Sequence, residues 1–172
     1  MLALLAPMPA CGGVPIRPPS VQATSPAREP ADAERAGTAL IRNWFGQLAS
    51  GTSDARAALL RPMEPSFELV LQGGTTRNPG EIAAWLDELR SPLARVEFTV
   101  EALRVTPAEA GLYELRFEVD RRGDDAQGVS HVARSEHTWF VRMLPGSPPA
   151  IARIESRPTL SFPGTGPRII CN

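Results

Sequence analysis

Residues 129–143 read V-S-H-V-A-R-S-E-H-T-W-F-V-R-M, and they hold both histidines of the chain. His131, Ala133, Ser135, His137, Trp139 and Val141 alternate with Arg134, Glu136, Thr138 and Arg142. A period of two is that of a strand with one face packed and the other wet. The stretch is therefore a long strand that turns both histidines toward an apolar interior. Phe140 breaks the pattern as an apolar residue on the polar side, and marks either a contact surface, such as a homodimer through the outer sheet face, or a spot covered by the tail.

Outward from this strand the same period recurs. Val96, Phe98 and Val100 alternate with Glu97, Thr99 and Glu101, and Tyr113, Leu115, Phe117 and Val119 alternate with Glu114, Arg116, Glu118 and Asp120. Pro107 and Gly111 mark one connection, and R-R-G-D-D-A-Q-G at 121–128 marks the next. A last strand over 150–156 places Ala152 and Ile154 inside and Arg153 and Glu155 outside. The four strands form an antiparallel meander, greasy on one side. On the other side, charges of mixed sign pair weakly across strands, at ~0.2 to 1 kcal/mol each.

Upstream of residue 92 the period is helical. Leu40, Trp44 and Leu48 form one stripe with Ile41 and Phe45 beside it; Asp32 is the expected cap and Ser50-Gly51 the stop. Ser53 is the expected cap of a second, short helix ended by Pro62. Residues 67–71 read as a short strand turned by Gly73-Gly74. Asn78 as cap, Pro79 at the first helical position and Glu81 three residues on announce a third helix, with Ile82, Trp85, Leu86 and Leu89 on one face. Ser91-Pro92 closes it.

The 172 residues suit one domain with tails, and 42% apolar with 22% charged content is that of a globule. A net charge of -1 leaves no basic footprint for nucleic acid. All 18 basic residues are arginine, a codon bias that points to a GC-rich, bacterial genome. Cys11 and Cys171 have no CxxC partner, and no Gly-rich phosphate loop, HExxH or GxSxG motif occurs. No cofactor is implied. Nor is a metal, since the six-residue spacing of the histidines separates them by about 20 Å along a strand.

Residues 1–11, M-L-A-L-L-A-P-M-P-A-C, resemble the end of a bacterial lipoprotein signal, in which the cysteine after the cleavage site is lipidated. They lack a basic leader, and the apolar run is short, as an upstream start codon would explain. The alternative is an N-terminal segment with an incidental thiol. Five prolines between 15 and 30 make a semi-rigid tether. The division expected is 1–30 signal-like segment and tether, 31–160 domain, 161–172 Pro/Gly-rich tail. Localisation follows: exported and periplasmic or membrane-anchored through Cys11 if the signal is real, cytoplasmic otherwise.

The order of helices, short strand, helix and four long strands resembles the nuclear transport factor 2-like superfamily, which includes SnoaL-like proteins. L-I-R-N-W-F-G-Q-L, F-E-L-V-L, N-P-G-E-I-A-A-W-L-D-E-L and I-A-R-I-E carry the resemblance. It implies an α+β cone: three N-terminal helices on a strongly curved, mostly antiparallel sheet, with a cavity at one end. Trp85, Phe98, Phe117, Ser135 and Trp139 are expected to line it. Catalytic members place an Asp or Glu, often with a Tyr or His, inside the cone. Here the strand acids fall outside, leaving Tyr113, Ser135, His137 and Ser156 as the inner polar set, with Asp87 or Glu88 able to reach in from a helix. His137 is the candidate base and Tyr113 the candidate hydrogen-bond donor; the competing reading of His137 is a satisfied core histidine. His131 is expected to be solvated.

The missing inner acid and the tether favour a non-catalytic module that binds a small hydrophobic ligand or a protein partner, in an exported, lipid-anchored bacterial protein. The alternative is a SnoaL-like acid/base enzyme, an isomerase, cyclase or dehydratase, acting on a small hydrophobic carbonyl compound. The enzyme needs His137 and Tyr113 to face one void of about 300 Å³ or more, with a carboxylate near.

Overall fold

The structure is a computed structural model that describes residues 28–90 and 93–162. Three helices, α1 (Pro30–Ser50), α2 (Ser53–Leu60) and α3 (Pro79–Glu88), accompany six strands: β1 (Met63–Leu71), β2 (Gly74–Thr76), β3 (Arg95–Glu109), β4 (Leu112–Asp124), β5 (Ser130–Arg142) and β6 (Ala150–Phe162). The fold is the expected α+β cone, with the helices against one curved sheet ordered β2-β1-β6-β5-β4-β3. Strands β3 to β6 are the antiparallel meander, and β1 joins it parallel to β6.

Helix α1 starts two residues before the expected cap, because Pro30 already has the backbone angle of a first helical residue. Asp32 therefore sits in the first turn, paired with Arg35, where its charge suits the positive end of the helix. Gly51 ends the helix at φ 63°, the left-handed conformation that a glycine adopts without strain. The buried stripe runs Ala33, Gly37, Ile41, Trp44, Phe45, Leu48. At Gly37 the helix lies so close that an added Cβ would stand 3.2 Å from Leu115 and Val105. Thr52, not Ser53, holds the cap position of α2. In α3, Asn78 caps as expected, its side-chain oxygen accepting from the Gly80 N–H at 2.8 Å. Ser91 and Pro92 lie outside the described residues.

The predicted alternation holds through β4 and β5, where Leu115 pairs with Trp139 and Phe117 with His137 on the inner face. It slips where bulges intervene. In β3, Ala102 sits at φ 53° as the extra residue between Glu101 and Arg104, so Leu103 and Val105 take over the inner face from Val100. In β6 the register skips Ala152 between Ile151 and Arg153. Ile151 and Ile154 are the fully buried pair, which corrects the placement of Ala152 inside. A second bulge at Thr159 carries β6 on to Phe162, into the segment expected to be tail. These insertions sharpen the bend that an unbroken ladder would lack.

An aromatic cluster packs between the helices and the sheet. The Trp44 ring meets Trp139 edge-on at 5.0 Å and Trp85 at 5.9 Å, and Phe45 stands 5.3 Å from Phe98. On the outer face Arg134 joins Asp120, Glu118 and Glu101, with its Nε donating to Asp120 at 2.6 Å. Asp120 is buried there, and the hydrogen bond from Arg134 holds its carboxyl below the usual range. Phe140 is half-buried beneath the Arg153 guanidinium, 5.9 Å from the ring centre.

Candidate functional site

Between the sheet's inner face and helices α1 and α3 opens a cavity of about 640 Å³, within the ~300 to 1,000 Å³ of small-molecule sites. Phe45 of α1, Trp85 of α3, Phe98 of β3 and Val119 of β4 supply its apolar wall. Ser135 and His137 of β5, Ser156 of β6 and Arg121 of β4 supply polar groups.

His137 is 3% exposed and stacks flat on Phe117, with the planes 6° apart. Both ring nitrogens are engaged. The Trp139 indole N–H donates to Nδ1 at 3.3 Å, and Nε2 lies 2.9 Å from the Ser135 hydroxyl oxygen. An indole can only donate, so Nδ1 is an acceptor and the neutral ring's hydrogen belongs on Nε2, donated to Ser135. Burial pushes the imidazole pKa down to about 3. The consequence is chemical. A serine nucleophile needs a lone pair on the nitrogen facing it, and a general base needs one free for substrate. Here one nitrogen holds a hydrogen and the other holds Trp139. His137 instead fixes the Ser135 hydroxyl, whose own hydrogen is left to the cavity.

Of the lining residues expected from sequence, Trp85, Phe98 and Ser135 border the cavity. Phe117 and Trp139 do not: each is buried one layer behind, against His137 and Phe45. Tyr113 is not brought to His137. It lies four residues further along β4, and its hydroxyl donates to the Arg28 carbonyl at 2.5 Å. Asp87 turns outward to Arg56, whereas Glu88 borders the cavity as an exposed residue. His131 is buried, contrary to the expectation of solvation, because Asp125 in the β4–β5 turn meets its Nε2 at 2.9 Å. The same bond, with the Val129 and Gln127 amides, holds the Asp125 carboxyl low. Cys11 lies outside the described residues.

Arg121 escaped the sequence reading, which assigned it to a connection. Strand β4 continues to Asp124, and one more step of the alternation past Val119 turns Arg121 inward. Its Nη1 donates to the Glu88 and Leu89 carbonyls at 3.0 and 3.1 Å. Burial lowers its pKa from the ordinary value.

This architecture is the nuclear transport factor 2-like fold, shared with SnoaL-like proteins. A structure of hexachlorocyclohexane dehydrochlorinase type 3 from Novosphingobium barchaimii superposes with a TM-score of 0.57 at 18% identity, covering 78% of this chain and 95% of that one. A scytalone dehydratase candidate from Novosphingobium aromaticivorans gives 0.62 at 11%, covering 74% and 85%. A protein of unknown function from Pseudomonas aeruginosa, itself described as NTF-2-like, gives 0.58 at 11%, covering 73% and 99%. At these identities the likeness is one of fold. No protein-family model and no curated protein sequence matches the chain.

Proposed function

We propose that the chain is a non-catalytic binding module whose cavity holds a small, largely apolar molecule. The observation that carries this reading is the engagement of both His137 nitrogens, by Trp139 and Ser135, beside a cavity of about 640 Å³. A ligand meets aromatic walls and a fixed serine hydroxyl, an arrangement suited to recognition. Against the acid/base alternative stand the depressed basicity of His137 and the bond that keeps Tyr113 on Arg28. A fold that hosts many chemistries does not weigh either way.

The test is titration with N-phenyl-1-naphthylamine, an uncharged aromatic probe, followed by its fluorescence and by quenching of tryptophan. Saturable binding to one site is expected, abolished by Ala133→Phe, which fills the cavity from β5. Absence of binding, or equal binding to the filled variant, overturns the reading. Export and attachment through Cys11 belong to the same proposal. Protein expressed with its native upstream DNA is expected in the membrane fraction and its Cys11→Ser form in the soluble one; equal partitioning removes the anchor. A homodimer through the outer face is proposed on Phe140, and sedimentation at rising concentration checks it.

A further inference from the structure

Arg121 borders the cavity without a carboxylate partner among the described residues. Its position follows from the strand: Phe117, Val119 and Arg121 succeed one another on the inner face of β4, and Arg121 faces Ala133 of β5 across the ladder. A guanidinium carries five N–H donors. The two on Nη1 are committed to the Glu88 and Leu89 carbonyls at the end of α3, whose negative dipole end offsets part of the charge. These bonds fix the fork and leave three donors on Nε and Nη2. Arg56, Arg77, Arg134, Arg142 and Arg153 each reach a carboxylate. Arg121 pairs with none among the described residues, although it is half-buried in the wall of an apolar cavity. Even the nearby Glu88 offers it a backbone carbonyl rather than its side chain.

A cation so placed is partly desolvated and only partly compensated by the two carbonyls, and an anion on its remaining donors completes the compensation. We infer that Arg121 is the anion-binding end of the cavity, and that its ligand is a small molecule with an apolar body and a single anionic oxygen head such as a carboxylate or sulfonate. The inference rests on the binding reading above. Four residues of β4 separate Arg121 from the level of Phe117 and His137, about 13 Å at ~3.3 Å per residue. The body lies along that length, past Val119, Phe98 and Trp85, with the Ser135 hydroxyl available to a polar group further in. Burial, which already lowers the Arg121 pKa, strengthens a charge-assisted bond once formed.

Two probes that share one ring system separate body from head. They are 8-anilinonaphthalene-1-sulfonate and uncharged N-phenyl-1-naphthylamine, titrated into the full-length protein and its Arg121→Gln and Arg121→Lys forms. Wild type is expected to prefer the sulfonate by about tenfold or more, the usual range for hydrogen bonds to a charged group. Arg121→Gln is expected to bind both probes alike, the loss falling on the sulfonate. Arg121→Lys keeps part of the preference. A wild type without preference, or a preference that survives Arg121→Gln, overturns the inference and leaves the binding reading standing. If the neutral probe does not bind wild type, the binding reading falls and the inference falls with it. Should Arg121→Gln lose the neutral probe as well, Arg121→Lys decides: a reduced preference supports the inference and an unchanged one overturns it.

Discussion

His137 titrates far below an ordinary histidine, and this makes it a term in stability. The unfolded chain takes up a proton near pH 6.5, whereas the folded one resists until about pH 3. Between those values the unfolded state binds more protons, so stability falls as pH falls, by up to ~1.4 kcal/mol per pH unit. A His137→Gln form should lose that slope between pH 6 and 4, as read from urea melts at several pH values. Asp120 and Asp125 act in the same direction but lower: their depressed carboxyls contribute stability above about pH 4 and lose it as the pH falls through their folded values. Trp85 bridges core and cavity at 5% exposure, and Trp85→Ala is expected to cost ~3 to 5 kcal/mol in the same melts. The inward turn of His137 was readable because alternation alone dictates it. Its neutral state depends on the depth of burial, which only the helices set, and its tautomer on Trp139, two residues away on the same face. Tyr113 shared the inward phase, yet phase says nothing of distance along a strand, and four residues carried it to Arg28.

Among the elements, α3 was the most legible, since Asn78, Pro79 and the apolar stripe all give local signals. Asn78→Ala removes the bond to the Gly80 amide and should cost about 1 kcal/mol, visible as a lower melting temperature. The strands were legible in phase but not in length. Ala152 was misplaced because it and Ile151 are both apolar, so hydropathy cannot report which one the register skips. β2 was missed because three residues, Gly74, Thr75 and Thr76, carry no period. Gly123 shows how tightly the β3–β4 ladder is drawn: an added Cβ would lie 2.0 Å from the Arg95 carbonyl oxygen. Gly123→Ala must push β3 away from β4, and a loss of about 1 to 3 kcal/mol is expected in thermal or urea melts. Position 46, where nothing lies within 4 Å, serves as the control. Gly46→Ala on the exposed face of α1 should stabilise the helix by about 0.5 to 1 kcal/mol.

For the molecule as a whole, strand order governs how the parts cohere. The hairpin of β1 and β2 meets the rest of the sheet only through β6, and that seam opens where the Ile151 amide donates to the Pro62 carbonyl at 2.6 Å. A sequence read from its N-terminus shows a lone strand and then a meander; nothing local says that the last strand will sit between them. During synthesis, therefore, β1 leaves the ribosome with no strand partner except the three-residue β2 among the described residues. It must wait for its β6 partners, Ile151 to Glu155, a delay on the order of ten seconds at usual translation rates. Over that interval Phe67 and Leu69, later sealed in the core, sit on a strand with one edge still unpaired.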